Sequence, residues 1–224
     1  MNRKLLILFA LLISILIKSS YIFAADDQIL IKQSPVELIE NLTANLIKLV
    51  EKEKLSNTIN DIAFYKQLES LLRPVIHESF SRRIMGKYGN EKYILSLPKD
   101  KQKKIYSQIY QFDNVLLGSL TSTYGKGLLA FDGQKIEVIE LVEYKSKSKT
   151  MVKQLIYGDR KEPYEVIFAL KKIDDQWKIG NFRFEQIDFG RIYKKQFKSL
   201  LNFYNDDVDL VIKNWTLSRL DKAS

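Results

Sequence analysis

The chain of 224 residues carries 36 Lys and Arg against 27 Asp and Glu, a formal net charge of +9 at pH 7, and it contains one His and no Cys. The absence of Cys excludes a disulfide framework, and a single His excludes two-histidine catalysis and metal sites built from several histidines. A chain of this length can bury one good hydrophobic core without covalent or metal staples.

The first 24 residues have the pattern of a secretory signal peptide. A positive start at residues 2–4 precedes an apolar run at 5–17, and Ala24 occupies the small-residue position in front of the expected cut. A membrane anchor is the alternative, although the apolar run is short for a hydrocarbon core of ~30 Å. We therefore expect cleavage between Ala24 and Ala25.

If the protein is exported, its basic charge can attract only the anionic partners that are present outside the cytoplasm. Removal of residues 1–24 takes away three cations and no acid, so the mature chain carries 33 cations and 27 acids, a net charge of +6. A basic exported protein meets anionic lipid headgroups, acidic glycans or acidic partner proteins, and we expect no nucleic-acid partner. Solubility alone is the alternative explanation for the charge. No linker or repeat divides residues 25–224, so we expect a single domain there.

The first half of the mature chain is predicted to be helical. Ser34 is placed as an N-cap, Pro35 takes the first helical position, and Glu37 closes a capping box. Apolar residues then follow at three-to-four spacing, which gives one apolar stripe. Further helices are expected at about residues 61–72, 80–88 and from 99 onward.

From residue 134 the apolar period changes from about 3.6 residues to two, which indicates strands. Strand-like runs follow at 135–144, 150–158, 164–173 and 176–187, joined by short turns, so the sheet is antiparallel. The first of these runs is apolar on both sides of its alternation, which suggests that both faces of the sheet are covered. Two helices are expected to close the chain, at about 190–203 and 208–220.

These elements predict an α+β fold class. We expect a curved antiparallel sheet of about four strands, covered by several N-terminal and two C-terminal helices and enclosing an apolar pocket. Residues 177–197 hold six aromatic residues and five Lys or Arg within 21 positions. An apolar lining with a cationic rim suits an amphiphile with an anionic head, whereas a packed core is the alternative.

Groups that could carry catalysis or bind metal are few. His77 beside Glu78 could act as a general base, although a surface or capping contact is the commoner role of such a pair. Asp206, Asp207 and Asp209 could bind a divalent cation, with helix capping as the alternative. Nothing in the sequence argues for an enzyme, and we expect neither a cofactor nor a metal.

Short motifs at consistent order and spacing run through most of the mature chain, from about residue 35 to 215. They are Met85-Gly86-Lys87-Tyr88, Gln102-Lys103, Thr123-Tyr124 and Phe131-Asp132-Gly133-Gln134, followed in the tail by Trp177, Lys178, Tyr193, Lys194 and Phe197. In these motifs the chain resembles the MlaC-type periplasmic phospholipid-binding proteins, also called the toluene-tolerance family.

The resemblance implies a monomeric periplasmic carrier that holds the acyl tails of a glycerophospholipid between sheet and helices. Such a carrier would shuttle lipid between an outer-membrane lipoprotein and porin complex and an inner-membrane ABC-type transporter complex, maintaining outer-membrane lipid asymmetry. The expected pocket residues are Met85, Tyr88, Phe112, Leu116, Leu120, Tyr124, Val166, Phe168, Leu170, Trp177, Tyr193 and Phe197. The expected headgroup or docking residues are Arg191, Lys194 and Lys195.

The chain departs from the family pattern at several positions. Gly89 stands where the family has Trp, Asn181 where it has Asp, and Lys194 where it has Arg. Lys keeps the charge of Arg but loses the bidentate fork that suits a phosphate. Three alternatives stay open: a binding module for another apolar ligand such as a hopanoid or solvent, an enzyme that uses His77, and a structural adaptor with a solid core.

Overall fold

The computed structural model describes residues 33–55, 61–129, 135–158 and 160–215. The expected signal peptide, its cleavage site and the motif at 131–134 lie outside these residues. The helices are α1 (Pro35–Leu55), α2 (Asp61–Leu72), α3 (Ser79–Met85), α4 (Glu91–Leu95), α5 (Lys99–Leu128), α6 (Phe189–Phe203) and α7 (Val208–Lys213). The strands are β1 (Ile136–Leu141), β2 (Lys149–Ile156), β3 (Tyr164–Ile173), β4 (Gln176–Phe184) and β5 (Ile187–Asp188).

Helix α1 begins with the capping box that its sequence predicts. The Ser34 amide donates to the Glu37 carboxylate at 2.7 Å, and the Glu37 amide donates to the Ser34 hydroxyl at 3.2 Å. The amide of Ser34 thereby lowers the pKa of the Glu37 carboxyl. The apolar stripe of α1 is buried and contacts β1 and β2, so this helix covers one half of the sheet.

The predicted helix at 80–88 is wrong in its last turn. Helix α3 ends at Met85, because Gly86 adopts a left-handed φ of 62°, and residues Gly86–Gly89 form a 3-10 turn. The short helix α4 that follows is not predicted. Its signal is nonetheless local, since the Asn90 side chain accepts a hydrogen bond from the Tyr93 amide at 3.1 Å as an N-cap.

The five strands form one antiparallel sheet in the order β1-β2-β3-β4-β5. Asp174 and Asp175 adopt positive φ values of 46° and 63° in the tight turn between β3 and β4, a conformation that Asp tolerates. The predicted strand at 176–187 is wrong at its end. The chain reverses near Glu185, with φ of 51°, and the two residues of β5 pair back onto β4.

The sheet has one buried face and one partly open face. Inner-facing residues such as Val152, Val166 and Phe168 are buried, whereas their outer-facing neighbours on β2 and β3 are only half-buried. On β1, Ile139 pairs with Lys153 on the outer face and is 44% exposed. The expectation that both faces are covered is therefore wrong for the described residues, because the outer-facing side chains of β1, β2 and β3 stay half-buried or exposed.

The C-terminal helices pack against α5 through aromatic rings. The Phe112 ring lies 5.0 Å from the Phe197 ring and 4.9 Å from the Trp215 ring, both edge to face.

Helix α7 ends at Lys213. The predicted helix at 208–220 is therefore wrong at residues 214 and 215, the last two that the structure describes. The Asn214 side chain donates to the Leu210 carbonyl at this end. Within the described ranges no helix combines the length and apolarity needed to cross a membrane.

Candidate functional site: an apolar cavity between helices and sheet

A cavity of about 50 Å³ lies between the helical layer and the inner face of the sheet. Helices α1, α2 and α5 form one wall, and β3 and β4 form the other. Ten of the eleven lining side chains are apolar. They are Leu42, Leu46, Leu68, Leu72, Ile76, Leu120, Leu128, Phe168, Ile179 and Phe182, with Thr43 as the polar member.

The polar member of the wall is tied into a short hydrogen-bonded chain. The Thr43 hydroxyl donates to the Ile39 carbonyl at 2.7 Å and accepts from the Gln154 amide nitrogen at 2.8 Å. The Gln154 oxygen is buried and has no hydrogen-bond partner among the described residues. The Thr43 hydroxyl is thus already engaged, and the surface offered to the cavity is hydrocarbon.

Two of the twelve expected pocket residues line this cavity, Leu120 from α5 and Phe168 from β3. Val166 and Leu170 lie on the same face of β3 as Phe168 and are buried, but they pack into the core beside the cavity. Leu116 is buried one helical turn before Leu120. These five residues form a continuous apolar surface of which the cavity is one part.

A second group of expected pocket residues forms an aromatic core toward α6. Tyr124 and Tyr193 share a hydrogen bond of 2.8 Å between their hydroxyl oxygens, and Tyr193 is fully buried. Burial raises the pKa of Tyr193 well above its usual value, so this hydroxyl is neutral and serves as a hydrogen-bonding group. Phe112 and Phe197 belong to the neighbouring ring cluster with Trp215. None of these four residues lines the cavity.

The remaining expected pocket residues are dispersed. Met85 is buried at the floor of a surface cleft between α3 and α6. Tyr88 is half-buried and lies under the Lys87 ammonium, with the nitrogen 4.9 Å from the ring centroid. Trp177 is half-buried at the start of β4 and packs against the core.

The three expected headgroup or docking residues lie on the solvent side of α6. Arg191, Lys194 and Lys195 are all exposed, while Tyr193 and Phe197 on the opposite side of the helix are buried. Asp188 caps the helix by accepting from the Arg191 amide at 2.9 Å. The sequence therefore placed the aromatic and the cationic residues of this segment on opposite sides of one helix, as the 3.6-residue period requires.

The two candidates for catalysis, His77 and Glu78, have separate partners. The His77 Nδ1 accepts from the Ser79 amide at 3.0 Å, and burial lowers the pKa of the imidazole. Glu78 instead pairs with Arg82 at 2.9 Å. These contacts fit the capping role that was the alternative for His77.

The aspartates near α7 have separate structural roles. Asp207 accepts from the Leu210 amide at 3.0 Å as an N-cap, and Asp209 pairs with Lys104 at 2.9 Å. Within the described ranges no group of three or more His, Cys, Asp or Glu side chains could hold a metal ion.

The pocket residues predicted from the sequence include none of the residues of α1 and α2 that line the cavity. Leu42, Leu46, Leu68 and Leu72 occupy the apolar stripes of predicted helices, so the sequence marks them as buried. The stripe does not tell which buried residues face another helix and which face the sheet. Only the tertiary structure, in which α1 and α2 line the same cavity as β3 and β4, identifies them as cavity residues.

The sequence of this chain matches a known protein family and a characterised relative. The model of the family described as MlaC protein matches residues 40–216. The toluene tolerance protein ttg2D of Pseudomonas putida is 25% identical over 183 residues, which cover 82% of this chain and 80% of that protein.

A solved structure shares the fold. It is that of the phospholipid-binding protein from Ralstonia solanacearum in complex with a phospholipid. It matches with a TM-score of 0.58 and 12% sequence identity, covering 81% of this chain and 94% of the other. The predicted α+β fold class is confirmed.

Proposed function

Since this chain belongs to the MlaC protein family, we propose that it is a periplasmic carrier of glycerophospholipid. The observation that supports this most directly is the cavity, in which nine apolar side chains from three helices and two strands, together with Ile76, face one another. An apolar space of this kind between two layers of a domain is where a protein of this fold class can hold an acyl chain.

Transfer thermodynamics explain why a carrier needs such a space. Burying acyl chain is worth about 0.8 kcal/mol per CH₂, so two long chains exposed to water would cost well over ~20 kcal/mol. A cavity of hydrocarbon character cancels most of this cost at both ends of a transfer. The protein then supplies a dry environment, and no catalytic step belongs to the proposal.

The cavity must widen to receive such a ligand. Its volume of about 50 Å³ lies well below the roughly 300–1,000 Å³ of pockets that hold drug-sized ligands. We propose that α1 and α2 move outward from β3 and β4 when acyl chains enter. Leu120 and Phe168 then contact the chains first, and Val166, Leu170 and Leu116 lie next to them.

The same small volume favours a second candidate, a binding module for another apolar ligand such as a hopanoid or a solvent. The two candidates share every lining residue, and they differ in the mass of the ligand. Native mass spectrometry of the purified mature protein distinguishes them. We expect an added mass in the range of a two-chain phospholipid, and an added mass of a few hundred daltons or less would favour the second candidate.

The cargo proposal predicts a selective effect of Leu46→Trp. Leu46 is buried on α1 and lines the cavity, so the indole would occupy space that acyl carbons need. We expect at least a tenfold loss of phospholipid per folded protein, measured as phosphate after purification. Overpacking should also lower the free energy of unfolding by about 1–3 kcal/mol.

Leu200→Trp is the matched control for this variant. Leu200 is similarly buried, on α6, and it does not line the cavity. The control should lose similar stability and keep its phospholipid. Equal phospholipid in both variants would contradict the proposed cargo site, and no phospholipid in the wild type would favour a packed-core adaptor.

The proposal includes export and exchange with membrane complexes. The mature protein is expected to start at Ala25, and N-terminal sequencing of the periplasmic fraction checks this directly. An intact Met1 in the membrane fraction would contradict both the cleavage and a diffusing carrier. The proposed exchange partners are an inner-membrane ABC-type lipid transporter complex and an outer-membrane lipoprotein and porin complex, served by a monomeric carrier.

A further inference from the structure

One side of helix α6 is entirely cationic or neutral. Arg191, Lys194, Lys195 and Lys198 are exposed and lie within a stripe about 100° wide, because they are spaced three and four residues apart. The segment Phe189–Phe203 contains no Asp or Glu. None of the four cations forms a salt bridge with a described acidic residue. We call these four residues the cationic stripe.

The cationic stripe borders a cleft that adds a fifth cation. The cleft lies between α6 and the turn Gly86–Gly89, has a volume of about 380 Å³, and is lined by Lys87, Lys194 and Lys198. Asp206 also lines it and lies 3.7 Å from the Lys87 ammonium, so the local balance stays positive. Asp188, at the start of α6, lies 3.8 Å from Arg83 instead.

An exposed aromatic ring stands at the end of the same helix. Phe203 is 73% exposed, and Leu210 on α7 is 39% exposed. A Phe ring at a bilayer surface can insert at the boundary between headgroups and acyl chains. The apolar side of α6 is buried in the protein core, so the exposed cations, with Phe203 beyond the end of the stripe, are the groups that this helix offers to an anionic bilayer.

We infer that the cationic stripe of α6, with Lys87, binds the phosphate groups of an anionic phospholipid bilayer, with Phe203 at the membrane boundary. The charge complementarity carries this inference. Most of the stripe is Lys, whose ammonium is a compact charge that accepts many donor directions, which suits a fluid array of phosphates. The inference goes beyond the proposed function, because it concerns the membrane surface and not the cargo in the cavity.

The expected strength follows from the number of charges. One Lys or Arg near an anionic surface strengthens binding about fivefold. Four or five cations therefore predict binding that is about 600- to 3,000-fold stronger to an anionic bilayer than to a neutral one. The difference should fall with added salt, because salt screens exposed charges.

Co-sedimentation with vesicles tests the inference. Vesicles of phosphatidylcholine with about one third phosphatidylglycerol should bind the mature wild-type protein at low salt, and pure phosphatidylcholine vesicles should not. Lys194→Glu/Lys198→Glu should weaken binding to the anionic vesicles at least about 25-fold, since two positive charges are replaced by two negative ones. Lys99→Glu/Lys103→Glu is the matched control, because it changes the net charge equally at exposed positions of α5.

Each outcome separates the inference from the cargo proposal. The Lys194→Glu/Lys198→Glu protein should keep its bound phospholipid, and Leu46→Trp should still sediment with anionic vesicles although it has lost cargo. Loss of cargo in the lysine variant would overturn the inference by assigning these lysines to the cargo headgroup. If the α5 control variant bound anionic vesicles as weakly as the α6 variant, net charge alone would explain the effect, and the inference would also be overturned. Absence of wild-type binding would also overturn it and leave an acidic protein surface as the partner of the stripe.

Discussion

Phe168→Ala is expected to lower the free energy of unfolding of the lipid-free protein by about 3–5 kcal/mol, the usual range for a buried Phe. Phe168 is 5% exposed, pairs with Val152 and Phe182 across the sheet, and lines the cavity. Truncation removes buried ring atoms and enlarges a space that already exists. Helix α1 contacts β1 and β2, so it cannot move into this space without disturbing those contacts.

The lipid-loaded protein should show a smaller loss. If acyl carbons enter the enlarged cavity, each additional buried CH₂ recovers about 0.8 kcal/mol. Denaturant titrations of delipidated and lipid-loaded protein, each compared with the wild type in the same state, measure the difference. Bound ligand stabilises both proteins, so only the change in the Phe168→Ala penalty between the two states is informative.

Phe112→Ala is the matched control for this experiment. Phe112 is fully buried between α5, α6 and Trp215, and it does not line the cavity. Its penalty should be of similar size and should not change with lipid. A penalty of Phe168→Ala that is the same in both states would contradict the assignment of the cavity as the cargo site. A lipid-dependent penalty at Phe112 would extend the site to the aromatic core.

Gly89→Ala is expected to lower the free energy of unfolding by more than about 3 kcal/mol, above the usual range for overpacking. A Cβ at position 89 would lie 1.9 Å from the carbonyl oxygen of Arg82. That oxygen belongs to the backbone of α3, so the clash is relieved only by moving the turn away from the helix. For a domain of about 200 residues, the melting temperature should fall by at least about 6 °C.

Gly118→Ala is the control that separates a clash from the general effect of replacing glycine. Gly118 lies within α5, and a Cβ built there meets no atom within 4 Å. This change should raise the free energy of unfolding by about 0.5–1 kcal/mol, because glycine is unfavourable in a helix. Thermal melts of the two variants should therefore move in opposite directions. Unchanged stability of Gly89→Ala would contradict the close packing of the turn on α3.

The clash also explains one departure from the family pattern. The resemblance predicts Trp at the position of Gly89, and the close approach of the Arg82 carbonyl leaves no room for any side chain there. The tight 3-10 turn that produces this approach begins with the left-handed Gly86. Both glycines are visible in the sequence, but the distance between the turn and α3 is not.

The sequence by itself determined the features that depend on neighbouring residues. The capping box of Ser34 and Glu37, the start of α5 at Lys99 and the bounds of β3 all follow from local hydrogen bonding and side-chain periodicity. The separation of aromatic and cationic residues on α6 follows from the same period. Where a local backbone conformation interrupts the period, as at Gly86 and Glu185, the predicted ends of the elements were wrong.

Only the tertiary structure decided which buried residues line a cavity and which fill a core. Periodicity marks Leu46, Leu116 and Phe112 alike as buried, because each lies on an apolar helix face. Leu46 on α1 and Phe168 on β3 line the same cavity although more than one hundred residues separate them, through packing that no local rule specifies. The open outer face of the sheet has the same cause. The sequence of β1 shows apolar residues on both faces of the strand. The placement of the helices determines which of the two faces is covered.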